Sequence, residues 1–224
     1  MSRFQFVSPA SPSGLLRVGD AERIAAHLRS GGLAILPTET GPLLAALATA
    51  VPAVRAAFAV KARPLTQPMH VACSGLAMAG EYAHLSEAAR RLLGRFTPGP
   101  LSVVVRQRPT LPDELVTAGG MVGVRIPDHP ATLQVIAATG APVTATSVNR
   151  SGEEGQPVDP TSLERLDWGD TDPVPVVDDP TAVRFTRPST LVRLVGAELE
   201  VLRPGPISAE DLARALADPA GSAA

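Results

Sequence analysis

Polar side chains follow several apolar runs of the sequence, at positions where strands of a sheet would end. Thr38 and Thr40 come directly after the apolar run 33–36. Ser147 and Asn149 come directly after the run 142–146. In open α/β sheets, the loops that follow strand ends are where ligands bind. These loops are therefore candidates for a ligand site, although Ser147 and Asn149 taken alone are equally consistent with a simple turn.

Basic residues near these loops could supply an anion site, and Arg125 is the most informative of them. Arg125 lies within the apolar strand 124–127. An unpaired charge there would be costly, so Arg125 requires an anionic partner. That partner is either a buried Asp or Glu or the phosphate of a ligand, which suits a planar bidentate donor. Lys61 and Arg63 have two interpretations as well, because cations in the last turn of a helix also complement its dipole.

Composition excludes several classes of protein. The chain has 224 residues, of which 45% are hydrophobic and 3% aromatic, with a net charge of −2. This is the composition of a globular domain, and the scarcity of aromatic residues argues against the stacking platforms of single-strand binders. The net charge provides no global field for nucleic acid, so any anion site must be a local cluster of Arg and Lys.

Cysteine usage and hydropathy set further bounds. Cys73 is the only cysteine, which excludes an intramolecular disulfide and a cysteine-rich zinc site, and its apolar surroundings predict a buried packing role. No apolar run approaches the ~20 residues that a membrane span requires. The N-terminus has no apolar signal core. We therefore expect a cytoplasmic protein that does not associate with membranes and has no metal site of its own.

Predicted strands and helices alternate along the chain. Helices are predicted from an N-cap at Asp20 to Gly31, from Pro52 to about 60, after Ser86, over about 130–138 and after Ser208. The strands are predicted at 33–36, 69–73, 101–105, 122–126, 142–146, 174–177, 190–195 and 199–202. Alternation without a dividing linker predicts one α/β domain, a mixed β-sheet flanked by helices. We expect an N-terminal arm over 1–14, this domain over 15–217, a polar loop over 151–160 and a C-terminal tail over 218–224.

Seven short segments together resemble the YrdC family, the threonylcarbamoyl-adenylate synthases, in its short single-domain form. They occur in the family order and at family-like spacing over about residues 15–215, and none is specific alone. The segments read PTET, KARP, PGPL, VRIP, SVNRSG, PST and LRPG, at Pro37–Thr40, Lys61–Pro64, Pro98–Leu101, Val124–Pro127, Ser147–Gly152, Pro188–Thr190 and Leu202–Gly205.

The resemblance implies a twisted mixed sheet around a large basic cavity and a nucleotidyltransferase activity. Such enzymes condense threonine, bicarbonate and ATP, release pyrophosphate, and supply a separate complex that modifies adenosine in tRNA. Lys61 and Arg63 would be the catalytic residues, Thr38 and Thr40 would bind the amino acid, and Mg²⁺ would arrive with ATP. The resemblance also implies an ATP site made of Lys61, Arg63, Arg125, Ser147, Asn149, Ser189 and Arg203.

The first motif departs from the family pattern. After its PTET segment the family usually continues with Val-Tyr-Gly-Leu, whereas this chain has Gly41-Pro42-Leu43-Leu44. A family glycine near Asp178 is also missing. Proline fixes φ and removes a donor, so the loop path is expected to differ. Three hypotheses follow: the standard enzyme, a paralogue that forms a carbamoyl-adenylate of another acceptor, and a catalytically weak nucleotide- or RNA-binding protein.

Overall fold

The computed structural model describes residues 2–112, 119–149, 160–169, 171, 173–195 and 198–218. Within them one 10-stranded mixed sheet has the order β1-β8-β2-β3-β7-β4-β6-β5-β9-β10. The strands are β1 (Phe4–Val7), β2 (Ala34–Leu36), β3 (Leu43–Ala45), β4 (His70–Ala72), β5 (Leu101–Arg106), β6 (Met121–Arg125), β7 (Val143–Ser147), β8 (Val174–Val177), β9 (Thr190–Val195) and β10 (Glu198–Arg203). The predicted α/β fold with a mixed sheet is confirmed.

Seven helices in the described residues flank this sheet. They are α1 (Val18–Arg29), α2 (Val51–Val60), α3 (Leu76–Tyr82), α4 (Glu87–Phe96), α5 (Pro130–Thr139), α6 (Pro160–Glu164) and α7 (Ala209–Ala217). Two apolar clusters form the core. The larger contains residues of α2, α4 and most strands, and the smaller joins α1 and α5 to strand residues such as Leu36 and Val143. No helix in the described ranges is long and apolar enough to cross a lipid bilayer.

Helix starts follow the expected caps at two positions and differ at one. Ser86 and Ser208 cap α4 and α7, each accepting a hydrogen bond from a backbone N–H three residues later. The predicted N-cap at Asp20 is wrong, because α1 begins at Val18 and Asp20 lies in its first turn. There Asp20 forms an ion pair with Arg23, and an acidic residue in the first turn complements the helix dipole.

Four short elements were not predicted, namely β1, β3, α3 and α6. β1 lies in the segment expected to be an arm, and it pairs with β8 in parallel. β3 pairs with β2 and β7, and it directly follows the altered first motif. Elements of three to seven residues carry too little periodicity to be recognised, and β3 lies in an Ala- and Leu-rich stretch that fits a helix as well. Most of the predicted loop 151–160 and of the tail 218–224 lies outside the described residues.

A row of paired residues across four neighbouring strands brings two basic side chains to the same edge of the sheet, where β6 and β10 end. Arg125 at the end of β6 is paired with Ser102 of β5, and Ser102 is paired with Leu191 of β9. Leu191 is in turn paired with Arg203 at the end of β10. The antiparallel β5–β6 and β9–β10 pairs therefore bring two distant arginines to the same edge of the sheet.

Cys73 follows β4 and is fully buried. Burial, with a smaller contribution from Glu81, raises the pKa of its thiol to about 12. Because the thiolate is the reactive form, we expect Cys73 to resist alkylation in the folded protein and to react once the chain is unfolded. Mass spectrometry after iodoacetamide treatment, with and without denaturant, measures this. Rapid modification of the folded protein would contradict it.

Candidate active site

A polar cavity of about 200 Å³ lies beside that edge of the sheet. It gathers residues that are far apart in the sequence, and most of the predicted site residues line it. These are Thr40, Arg63, Arg125, Ser147, Ser189 and Arg203. The remaining three, Thr38, Lys61 and Asn149, do not line the cavity but are buried. Thr38 is hydrogen bonded to Arg125 and Lys61 to Ser147, which both line it, whereas Asn149 is hydrogen bonded to Lys61.

Arg125 is paired with a carboxylate of the protein itself. Its Nη2 donates to Glu39 Oε1 at 2.7 Å, to Thr40 Oγ1 at 2.7 Å and to Thr38 Oγ1 at 3.1 Å. Glu39 is fully buried, and its other oxygen accepts from the backbone N–H of Asp128 at 2.9 Å. Of the two partners that the sequence left open for Arg125, the structure therefore shows the protein carboxylate, because the loop after β2 returns Glu39 to the end of β6.

Arg125 nevertheless keeps a face toward the cavity. It is among the lining residues, and its Nε is a buried donor without a partner among the described groups. The ion pair fixes the guanidinium, while the neighbouring hydroxyl of Thr40 also faces the cavity. The segment Thr38–Thr40 and the end of β6 therefore form one rigid wall.

Lys61 lies behind the part of the lining that contains Ser147. As the residue that ends α2, it directs its ammonium at the carbonyl oxygens of Ser147 and Asn149, both at 2.5 Å. Burial and, to a lesser extent, the charge of Arg63 together lower the pKa of Lys61 to about 8. Lys61 thus anchors the loop that follows β7, and it places a titratable positive charge directly behind Ser147.

Arg63 and Arg203 complete the basic lining. Arg63 donates to the carbonyl oxygens of Gln67 and Pro68, and Arg203 donates to the carbonyl oxygen of Ser189 at 2.9 Å and to its hydroxyl at 3.1 Å. Burial is the main cause that lowers the pKa of both guanidinium groups. Both remain cationic at neutral pH, since an arginine pKa starts far above that range.

The pKa of His70 in β4 shows that the electrostatic potential in this cavity is positive. It lines the cavity, and its pKa is lowered to about 4 by burial and then by the charges of Arg203, Arg125 and Arg63. Three guanidinium groups therefore act on one point of the cavity. Such an arrangement favours a ligand with several negative charges, such as a triphosphate.

Two residues of this site were missed in the sequence. Glu39 was available as the acidic residue of PTET, between the two threonines that were selected. His70 was available as the titratable residue at the start of an otherwise apolar strand. An acidic residue within a motif and a histidine in an apolar run both indicate a possible functional site. Neither indicates which distant residues will lie next to the Glu39 or His70 side chain in the fold.

The altered part of the first motif also belongs to the cavity. Gly41, Pro42 and Leu43 all line it. The Thr38 hydroxyl donates to the carbonyl oxygen of Gly41, at 2.5 Å. The residues that depart from the family pattern are therefore in a position to touch a ligand.

Comparison with known proteins points to the same family as the seven short motifs. Residues 26–205 match the model of the Sua5/YciO/YrdC family, which is described as telomere recombination. A provisionally named threonylcarbamoyl-AMP synthase of Mycobacterium tuberculosis is 36% identical over 87% of this chain and 88% of its own. The threonylcarbamoyl-AMP synthase of Bacillus subtilis is 32% identical over 84% of this chain and 54% of its own.

Solved structures agree in fold. Sua5 of Pyrococcus abyssi, in complex with L-threonine, superimposes with a TM-score of 0.82 at 26% identity, covering 95% of this chain and 60% of that chain. YciO of E. coli superimposes with a TM-score of 0.79 at 21% identity, covering 95% of this chain and all of that one, and it supports the fold alone. With the family model matching most of its length, this chain belongs to the Sua5/YciO/YrdC family.

Proposed function

We propose that the protein is an L-threonylcarbamoyl-AMP synthase that condenses threonine, bicarbonate and ATP and releases pyrophosphate. The observation that carries the proposal is the cavity in which Arg63, Arg125 and Arg203 converge beside Thr40 and Ser147. Relatives more than 30% identical over most of this chain carry the name of that activity.

We assign the two ends of the cavity to the two substrates. Arg63, Arg203, Ser147 and Ser189 would hold the triphosphate, with Lys61 and Asn149 supporting them from behind. Thr40 would face the amino acid, with Thr38 holding its loop. The L-threonine complex of the Pyrococcus abyssi protein supports an amino-acid site in this fold. Arg125 would then serve both substrates, because it is bonded to Thr40 and also faces the cavity.

The proposed chemistry needs no covalent residue of the protein. The substrate amine is the nucleophile toward carbon dioxide or bicarbonate, and the resulting carbamate attacks the α-phosphorus of ATP. Positive charge on the triphosphate and correct positioning then supply the rate enhancement. In the described part of the chain, no three His, Cys, Asp or Glu side chains converge as a metal site. We therefore assign Mg²⁺ to the phosphate oxygens of ATP, with which it would enter.

A second candidate function is favoured by Pro42 and Leu43. Because both line the cavity where the family has a tyrosine and a glycine, the acceptor pocket lacks a phenol that could pair with a substrate hydroxyl. Selectivity for a hydroxyl depends on paired buried polar groups. The protein would then form a carbamoyl-adenylate of another amine. For either acceptor, the product would be passed to a separate transfer complex, which for threonine acts on tRNA, and we place this reaction in the cytoplasm.

The deciding experiment is pyrophosphate release with ATP, Mg²⁺ and bicarbonate across a panel of amino acids. We expect turnover with threonine, and weaker discrimination against serine and valine than a family member with the intact motif shows. That family member, assayed in parallel, is the matched control. Thermal unfolding with and without ATP runs beside it, and a hundredfold excess over the dissociation constant should add about 2.7 kcal/mol to the free energy of unfolding.

The outcomes separate the hypotheses. Turnover with threonine alone rejects the altered acceptor, and turnover with another amine in place of threonine supports it. Stabilisation by ATP without turnover on any amine indicates a nucleotide- or RNA-binding protein instead of an enzyme. No stabilisation by ATP contradicts the nucleotide site itself.

A further inference from the structure

His70 occupies a position in the cavity that neither substrate assignment has used. It is the first residue of β4, and its side chain lines the cavity together with Thr40, Arg63 and Ser147. Within the described ranges, its ring nitrogens form no hydrogen bond with protein groups, although the side chain is mostly enclosed. A polar ring in that situation needs a partner from the ligand or solvent.

The pairing of β4 with β6 determines where the imidazole of His70 lies. Between β4 and β6 the parallel register places His70 beside Gly123, one residue before the Val71–Val124 pair. A Cβ atom at position 123 would lie 2.4 Å from His70 Cδ2 and 2.8 Å from its Cγ. The ring therefore fills the space that a side chain at 123 would require, and the absence of that side chain fixes where the ring lies.

The charges that act on His70 come from three different parts of the chain. Arg125 lies at the end of β6, Arg203 at the end of β10 and Arg63 after α2, and all three lower its pKa. Glu39 offsets part of the charge of Arg125, and Lys61 adds a positive charge behind Ser147. With a pKa of about 4, His70 is neutral at physiological pH and has a free lone pair. A bound triphosphate would neutralise the arginines, so the pKa of His70 would rise toward its usual value.

We propose that His70 is a further catalytic residue, the base that accepts the proton which the substrate amine loses when it is carboxylated. This inference rests on the proposed function. It adds to that function the group that makes the carbamate beside the nucleotide.

The step balances as follows. The amine, which has already lost one proton to solvent, uses its nitrogen lone pair to form a C–N bond with carbon dioxide. One C=O electron pair moves to oxygen, which leaves a zwitterion with a carboxylate and a positively charged nitrogen. The N–H proton passes to His70, and the neutral-nitrogen carbamate can then attack the α-phosphorus. His70 returns its proton to solvent before the next turnover.

Because the arginines suppress protonation of His70 until phosphates arrive, the base becomes effective only in the nucleotide complex. Carbamates of amino acids decompose readily in water. A base that works only beside bound ATP would make the carbamate where it can be consumed. The ring of arginines would thereby couple the first chemical step to nucleotide binding.

The test compares His70→Gln with wild type in pyrophosphate release, and His84→Gln is the matched control because His84 is exposed and does not line the cavity. We expect kcat of His70→Gln to fall about 100-fold, with ATP affinity unchanged. The acid limb of the wild-type kcat profile should be absent in this variant. Histidine NMR of the wild type, with His70 assigned from the variant, should show its pKa rise on addition of a non-hydrolysable ATP analogue.

Three results would overturn the inference. One is a His70→Gln enzyme with wild-type kcat and an unchanged acid limb. Another is a higher KM for the amino acid with kcat unchanged, since His70 would then be a binding contact and not a base. The third is a His70 pKa that does not respond to the nucleotide analogue. A wild-type protein without amino-acid-dependent turnover would reject the proposed function as well, so the two failures can be told apart.

Discussion

Arg125→Ala is expected to lower the free energy of unfolding by about 3–5 kcal/mol, because it leaves a buried carboxylate without its counter-charge. Glu39 is fully buried, and its Oε1 lies 2.7 Å from Arg125 Nη2. Within the described residues, the remaining donor to the Glu39 carboxylate is the backbone N–H of Asp128. Chemical denaturation measures the loss. ATP affinity should fall as well, since the same substitution removes one of the cavity arginines.

Two further variants test whether the loss of stability comes from leaving the buried Glu39 charge unpaired. In Glu39→Gln/Arg125→Met neither charge remains, so the double variant should be more stable than Arg125→Ala. Arg193→Ala breaks an ion pair with Glu200 of similar length, 2.6 Å, in which both side chains are about half exposed. It should change stability by only about 0–1 kcal/mol. Equal losses from Arg125→Ala and Arg193→Ala would contradict the role given to burial.

Lys61→Met is expected to lower ATP affinity about tenfold at neutral pH, because it deletes a charge behind the cavity. It should also remove the contribution of Lys61 to the pH dependence of ATP affinity and of stability above neutral pH. The pKa of Lys61 is lowered from 10.5 to about 8. Between pH 8 and pH 10.5 the Lys61 amine is protonated in the unfolded chain but has lost its proton in the folded chain. Lys61 therefore makes the free energy of unfolding rise with pH across that range. ATP affinity should change in the opposite direction and fall above about pH 8, by about tenfold in total, which is the loss expected from removing the charge.

Differences between wild type and Lys61→Met isolate these effects from other titrating groups. Denaturant titrations and ATP titrations are made at neutral pH, near the pKa of Lys61 and well above it. Arg55→Met is the control, because Arg55 is an exposed cation on the same helix. The assignment fails if ATP affinity of the wild type stays flat through this range, or if Arg55→Met lowers it equally at neutral pH.

Local signals predicted the longer elements of the fold well. The Ser86 cap, Pro52 in the first turn of α2 and the β-branched run of β5 all act within a few residues, so the sequence displays them directly. β3 is different, because its three residues become a strand only through pairing with β2 and β7. The mixed sheet was predictable as a class, but its strand order depends on long-range pairing that no local pattern contains.

The site could be predicted as a set of residues but not as a set of contacts. Motif order selected Lys61, Arg63 and Arg203, and the structure brings them to one cavity or directly behind it. The partner of Arg125 was the open question in the sequence, with a protein carboxylate and a ligand phosphate both possible. Glu39 lies 86 residues away, and only the return of the loop after β2 decides between them.

The row of paired residues that joins Arg125, Ser102, Leu191 and Arg203 has a consequence for biosynthesis. Arg203 ends the last strand in the described residues, so the ribosome must release the chain beyond residue 203 before the second of these arginines can take its place beside the first. Loops of such length close slowly relative to local helices. A nascent or truncated chain would therefore fold many of its helices and strands while still unable to hold a triphosphate. Nucleotide binding would then require synthesis of the chain through β10, and shorter nascent chains would not sequester ATP.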